Sequence, residues 1–468
     1  MSHSVSKATG GAGRSVFEIG INDAIALKNA IPMGLQNVFV MTGAFVFPGI
    51  MGRSFDLPLD TVAYLYGVSF IGCGVTSILI STFFGRMPLV AGPYAGIFTA
   101  LIAFGHLPGS NLGMALGSLC GASLLWCLLS IPIKGVSLVS LVSRFVRSPV
   151  IAGVIVMLVM MQIADLSFPR WLGKPGDPSF PLLGFGSGLV TALVLIVLIS
   201  AKRPMVRRLA LLISLAAGAA LFEAFDPINF GAVANAPWFV MPRLFPFGLS
   251  FNLAYCLIYF AILVAVNIQT MTLMGVVAEW GNEPMPPARL SKGVLAFMLG
   301  SAIGSLIGAF TNLPYPANVA ILRSTRVASR RVILTTGLIL IAMGFCTKVD
   351  YVFVLLPVSV LSAAATVLFG IVFVHGVEML AGVDWDERSL AIAGFSLMLG
   401  FGSLFVEPKT LAAMPLYISL LLRQPIIVGV FALMVLTGVL PNRARAAKAA
   451  TDPAGKLQPN SVVQGNSK

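Results

Sequence analysis

Apolar residues run through this chain in long stretches, separated by short polar or basic interruptions. A stretch of ~20 apolar residues, wound as a helix, matches the hydrocarbon thickness of a bilayer. The pattern predicts spans at Ile31–Met51, Thr61–Phe84, Met87–Phe104, Leu112–Ile133, Pro149–Leu166, Leu182–Ser200, Met205–Phe225, Phe251–Ala278, Val294–Phe310, Tyr315–Val327, Val332–Cys346, Val352–Leu380, Leu390–Val406 and Pro425–Leu440. Two of them cannot be continuous helices. In Thr311–Arg331 the prolines Pro314 and Pro316 lack amide donors and disfavour helix just before them. A helix starts cleanly after Pro316, with Ala317 and Asn318 in its first turn. The third span carries a second break, Gly92-Pro93-Tyr94-Ala95-Gly96. Broken backbone at membrane depth is tolerated where protein or a water-filled cavity covers it, so such breaks point to a transport site.

The two breaks lie seven spans apart, and an odd offset means opposite orientation. Pro149-Val150 and Pro357-Val358 occupy matching places in the fifth and twelfth spans. Gln36-Asn37 and Asn267/Gln269 do so in the first and eighth. The expected fold is therefore an all-α polytopic membrane protein. Its 14 transmembrane spans form two inverted seven-span repeats, and broken spans 3 and 10 each contain a short extended piece. Pairing of Leu89–Ala91 with Leu313–Tyr315 as an antiparallel ribbon would satisfy the broken backbone.

Composition agrees with a membrane protein: 57% of the 468 residues are hydrophobic, 10% are charged, and mean hydropathy is +0.95. A net charge of +13 would point to nucleic acid in a soluble protein. Alternating the spans from an inside N-terminus instead places 23 of the 30 basic residues on the cytoplasmic side and 7 outside, as the positive-inside rule requires. No nucleic-acid partner is expected, and both termini are expected in the cytoplasm, across the inner (plasma) membrane. Residues 1–30 lack a signal-peptide core and read as a cytoplasmic tail; residues 441–468 read as a disordered one. The five cysteines, Cys73, Cys120, Cys127, Cys256 and Cys346, fall in apolar segments without close pairs, which predicts free, buried thiols. There is no Walker motif, no nucleophile–His arrangement and no metal spacing, and there are three His. Neither an enzyme nor a cofactor or metal site is expected.

Candidate binding residues cluster at the breaks. The half-helices starting near Tyr94-Ala95 and Ala317-Asn318 would present unpaired amides and partial positive charge, suited to carbonyl oxygens or anions. Tyr94 could stack on a ring, and Asn318 could equally cap its helix. Asn267, Gln269 and Gln36 each offer a donor and an acceptor for a planar heterocycle; bonding between helices is the alternative. Arg323 and Arg326 share one helix face, Arg326 reaching the interface by snorkelling and Arg323 lying deeper. The eighth to tenth spans hold no Asp or Glu between Phe251 and Ala278 or between Val294 and Ala320. That predicts weak dependence on a proton gradient, with sodium coupling or facilitated diffusion in its place.

Ala317-Asn318-Val319-Ala320-Ile321-Leu322-Arg323-Ser324-Thr325-Arg326 resembles the signature of the nucleobase–ascorbate transporter family, also called nucleobase:cation symporters of the second type. Asn318, Thr325 and Arg326 match it. Gly34-Leu35-Gln36-Asn37, Arg144–Gly153, Leu356-Pro357-Val358 through Phe369-Gly370, and His375-Gly376 resemble other family segments, in order along the chain. The resemblance implies a core of spans 1–4 and 8–11 moving against a gate of spans 5–7 and 12–14. On this division residues 31–133 and 246–347 form the core, and 134–245 and 348–440 the gate. It also implies a homodimer, a nucleobase-like substrate held between the third and tenth spans, and a coupling cation, H+ or Na+. It places Ala317 where the family holds the base with Gln or Glu, and Ala320 at the signature's glycine. Asn267 stands at the eighth-span glutamate, and Asn37 at the first-helix histidine. The expected substrate site is Tyr94, Ala95, Asn267, Gln269, Ala317, Asn318 and Gln36, with Arg323, Thr325 and Arg326 setting selectivity. The expected function is elevator-type transport of a purine such as xanthine or urate, or of uracil. The same fold carrying a small organic or aromatic anion, and a non-transporting sensor or scaffold, are the alternatives.

Overall fold

The computed structural model describes residues 15–41, 46–105, 107, 109–131, 137, 139, 149–162, 164, 167–172, 181–228, 230–381, 383, 385–422 and 424–440. The tail 441–468, residues 1–14 of the expected N-terminal tail, and the basic positions Lys134, Arg144 and Arg147 lie outside them. In chain order the elements are α1 (Leu27–Met41), α2 (Val46–Ser54), α3 (Leu59–Ile78, prolonged by a π-turn at Leu79–Phe83), β1 (Ala91–Pro93), α4 (Ala95–Gly105), α5 (Leu112–Ser130), α6 (Pro149–Gln162), α7 (Leu182–Ile199), α8 (Pro204–Glu223) and α9 (Gly231–Asn235). They continue with α10 (Leu253–Trp280), α11 (Pro287–Leu306), β2 (Asn312–Pro314), α12 (Pro316–Thr325), α13 (Arg330–Phe345), α14 (Thr347–Leu355), α15 (Val358–Ala381), α16 (Glu387–Ser403), α17 (Pro408–Ala412), α18 (Leu416–Leu422) and α19 (Pro425–Val439).

Among the described residues, five helical stretches are long and apolar enough to cross a membrane: Leu59–Phe83, Leu112–Ser130, Leu182–Ile199, Leu253–Trp280 and Val358–Ala381. Shorter apolar helices, such as Pro425–Val439, accompany them. The 28-residue α10 starts where the Asn252 side chain accepts from the amides of Ala254 (2.9 Å) and Tyr255 (3.3 Å). Asn111 caps α5 in the same manner, accepting from Met114 N at 2.8 Å.

The extended pieces pair as an antiparallel ribbon, displaced along the chain from the expected positions. Ala91 faces Pro314, Gly92 faces Leu313 and Pro93 faces Asn312. Tyr94 N donates to Thr311 O at 2.8 Å and Tyr315 N to Val90 O at 2.9 Å, extending the ladder at both ends. Neighbouring helices anchor it. Ala91 N donates to Ser77 Oγ of α3 at 2.9 Å, and Asn312 N to Ser301 Oγ of α11 at 3.1 Å. The Asn312 amide donates to Thr76 Oγ1 at 3.1 Å and accepts from Cys73 Sγ at 3.3 Å. Asn312→Ala strips the ribbon of this side-chain anchor in a buried setting. Its expected cost is about 1–3 kcal/mol, read as a lowered melting temperature of the purified protein.

Helices α3 and α13 cross backbone to backbone. A Cβ on Gly344 would lie 2.3 Å from Gly67 O, and one on Gly74 would lie 2.6 Å from Gly337 O. Small residues at matched places let the two helices touch. A docked N-terminal segment ties other elements together: Val16 N donates to Trp280 O, Glu18 N to Arg326 O and Ala328 N to Ile19 O. Phe17 and Ile21 are buried in the main core. The five cysteines are free; Cys73, Cys120, Cys127 and Cys256 are buried, but Cys346 is half-buried, because it sits at the bend between α13 and α14.

Candidate functional site

Because β1 and β2 run antiparallel, α4 leaves one end of the ribbon and α12 the other. Ala95 and Pro316 are the first residues of these helices, and Ala317 follows in the first turn. A cavity of about 420 Å³ opens beside α12. One wall is Ile268, Gln269, Thr272, Leu273, Val276 and Trp280 of α10, with Pro316, Val319 and Arg323 of α12. The facing wall is Ile155 and Val156 of α6, with His375, Glu378 and Met379 of α15. Mostly apolar walls with a few polar groups are what a small-molecule site looks like.

About two turns along α6 and α15 from the cavity lining, these helices pack closely against α2 and α4. Phe47 of α2 stacks on Phe98 of α4 (centroids 4.4 Å apart) and on Phe369 of α15 (5.9 Å). Gln162, the last residue of α6, donates to Gly96 O at 3.0 Å and to Gln424 Oε1 at 2.9 Å, and accepts from Ile426 N at 3.1 Å. Trp280 and Arg323 lie toward the docked N-terminal segment, where Val16 N donates to Trp280 O.

Gln269 is the polar residue of α10 best placed to act. It is 7% exposed, lines the cavity, and its Oε1 has no hydrogen-bond partner. A buried polar atom left unmatched costs about 1–3 kcal/mol, and a ligand with an N–H at that edge would remove the penalty. Asn267 is also buried with both amide atoms unmatched. Two residues are about 200° around a helix, however, so it points away from the cavity that Gln269 faces. Tyr94 is fully buried, with its hydroxyl folded back against Gly96. Asn318 does not cap α12; its amide donates to Asn37 O (3.0 Å) and Asn37 Oδ1 (3.1 Å), and Asn37 in turn donates to Thr336 Oγ1. This chain of amides fastens α12 to α1 and α13. Gln36 is half-buried on α1, outside the cavity lining.

The two signature arginines part company. Arg323 lines the cavity with its guanidinium 5.4 Å from the centroid of the Trp280 ring, a cation–π contact. Arg326 ends α12 in left-handed backbone (φ 56°) and forms an exposed ion pair with Glu18 at 3.1 Å. Thr325 turns back to Ile321 O at 2.8 Å and accepts from Val327 N, closing the helix end. Of the expected residues, the cavity brings together Gln269 and Arg323.

Sequence reasoning passed over Trp280, and over the pair His375 and Glu378 as site residues. His375 Nδ1 lies 2.8 Å from Glu378 Oε2, one turn apart on α15. The available signal was a polar i, i+3 pair inside the apolar run 358–381. Among the described residues no group of three or more His, Cys, Asp and Glu is placed to hold a metal ion.

Comparisons with known proteins bear on this geometry. Residues 28–409 match the family model Xan_ur_permease, described as "Permease family". The chain is 28% identical to "Uric acid permease PucK" of Bacillus subtilis over 411 residues, covering 85% of this chain and 92% of the relative. It is 27% identical to "Xanthine permease" of the same organism over 426 residues, covering 89% and 95%. "Xanthine permease XanQ" of Escherichia coli is 24% identical over 446 residues, covering 92% and 94%. Among solved structures, the transmembrane domain of the cyanobacterial bicarbonate transporter BicA matches with a TM-score of 0.52 at 16% identity, covering 88% of this chain and 99% of that one. SLC26A9 matches with a TM-score of 0.58 at 12% identity, covering 88% and 66%. These two share the fold. Matched from residue 28 to residue 409, the chain belongs to the xanthine/uracil permease family, the nucleobase–ascorbate transporters, and is a multi-pass transporter of the plasma membrane, not an enzyme.

Proposed function

We propose that the protein carries a nucleobase-like substrate, a purine such as xanthine or urate or else uracil, across the inner membrane by elevator-type alternating access. The observation that carries this reading is the cavity between the α10–α12 wall and the α6–α15 wall, with the unmatched Oε1 of Gln269 on its face. In this reading α10 and α12 belong to a moving core and α6 and α15 to a gate, within fourteen spans arranged as two inverted repeats and assembled as a homodimer. With the N-terminus inside, the cavity opens to the cytoplasm. Gln269 offers an amide edge to the base, in place of the Gln or Glu whose position Ala317 occupies. The relatives named for uric acid and xanthine support the substrate class.

Arg323, held over Trp280 in the same cavity, favours a second reading, a small aromatic anion. Uptake of labelled xanthine, urate and uracil into cells lacking their own permeases separates the two. Saturable uptake of at least one base is expected; binding of an aromatic carboxylate without uptake of any base would overturn the first reading.

A further inference from the structure

Asp350 is the one buried carboxylic acid among the described residues, at 3% exposure. It lies on α14, between the eleventh and twelfth candidate spans. Its carboxylate is seated against Gly67 of α3: a Cβ there would fall 2.7 Å from Oδ2 and 2.8 Å from Gly344 O. The seat exists because residue 67 has no side chain. Oδ1 has no hydrogen-bond partner, and neither has Oγ1 of buried Thr347, one turn earlier on the same helix. Both residues line a cavity of about 560 Å³, distinct from the one containing Gln269.

The other charged or titratable groups around this cavity are few. Helix α3 contributes Asp60 and Tyr64, and the segment before α10 contributes Arg243. Tyr64 is held by the Arg243 backbone, its hydroxyl accepting from N at 2.9 Å and donating to O at 3.1 Å. Tyr351 of α14 donates to Asp60. Lys348 of α14 is turned elsewhere, donating to Val233 O and Ala234 O at 3.0 Å each, with its ammonium over the Trp238 ring. The lining part of α13, Gly344, and all of α9 bring no titratable side chain. None of these groups donates to the Asp350 carboxylate, and a buried charge without a partner is strongly disfavoured.

We propose that this pocket is a binding site for a small monovalent cation, a proton or Na+, which neutralises the Asp350 carboxylate, and that transport depends on its occupancy. The site is linked to the substrate region through one rigid element. Asp350 packs at Gly67 of α3, and Cys73, Thr76 and Ser77 of the same helix hold β1 and β2. It supplies an ionisable group to a chain whose eighth to tenth spans lack carboxylates in the stretches that frame the substrate region. The dependence on transport rests on the function proposed above; the binding does not.

Burial pushes the Asp350 carboxyl up to about 9. The folded state then holds a proton that the unfolded chain releases in the ordinary carboxylate range. The stability so contributed is full below that range, declines as pH rises from it to about 9, and is flat above.

The test is the melting temperature of the purified full chain, with Na+ exchanged for choline at constant ionic strength and, separately, with pH varied in choline. The Asp350→Asn protein serves as reference, and Thr347→Val as a milder second variant. A proton site predicts a melting temperature that falls by roughly 3–6 °C toward alkaline pH, with no response to Na+. A sodium site predicts a rise of similar size with Na+ at alkaline pH. In either case Asp350→Asn is flat and melts no lower than the unsubstituted protein, and its uptake loses the same dependence. An Asp350→Asn protein that keeps the full response, or an unsubstituted protein that responds to neither cation, would overturn the proposal. Because melting needs no substrate, failure here is distinguishable from failure to transport a nucleobase.

Discussion

The Gln269→Met variant takes up substrate with a KM raised about tenfold and melts no lower than the unsubstituted chain. A tenfold change corresponds to about 1.4 kcal/mol, the size of one hydrogen bond between ligand and protein. Methionine keeps the length of the side chain and removes both amide groups. The Oε1 that goes is already without a partner, so folding loses nothing by its removal. Binding sites commonly hold groups that are a burden to the folded state and useful only to the ligand. Uptake kinetics at matched membrane expression, set beside a thermal melt, measure the two halves of this expectation. A fall in stability with an unchanged KM would place Gln269 among the structural amides, with Asn318 and Asn37.

Gly344→Val is expected to leave little folded protein. Even the first carbon of the new side chain would sit 2.3 Å from Gly67 O, a backbone atom that cannot swing aside. Helices α3 and α13 would have to separate, disturbing the Gly74–Gly337 contact and the seat of Asp350 with them. Overpacking commonly costs about 1–3 kcal/mol and more where backbone must move. Gly394→Ala on α16 is the control, because a Cβ there meets nothing within 4 Å. It is expected to be neutral or stabilising by about 0.5–1 kcal/mol, the ordinary gain of alanine over glycine in a helix. Yield of monodisperse protein and its melting temperature report both.

The framework was readable in the sequence because it rests on local rules. Apolar runs declared the helices. Pro93, Pro314 and Pro316 declared the breaks, and the need to satisfy broken backbone called for a ribbon. Its register was less accessible: Ala91–Pro93 and Asn312–Pro314 pair where Ser77, Ser301 and Thr76 are in reach to receive them, and those partners are far away in the chain. The site was harder for the same reason. Asn267 and Gln269 look alike in a sequence, and the rotation of α10 against its neighbours decides which one meets the cavity. Asn318 was legible as important; only the approach of α1 shows that its amide is occupied by Asn37. His375 and Glu378 come from a helix that reaches the cavity by tertiary packing alone, and Asp350 is buried because a glycine in α3 leaves room for it.

The ribbon also has a consequence for how the molecule is made. Its strands are about 220 residues apart in the chain. At ~5–20 residues per second of synthesis, β1 waits roughly 10 to 45 s before β2 exists. Through that interval the edge of Ala91–Pro93 that faces β2 has open backbone groups, which lipid could not hydrogen-bond. An early half of the protein is therefore a nascent chain with an unsealed edge, in need of shelter by the insertion machinery or a chaperone. Substitutions that merely slow the arrival of the second half are expected to be felt as degradation during biogenesis, before any molecule has had the chance to transport.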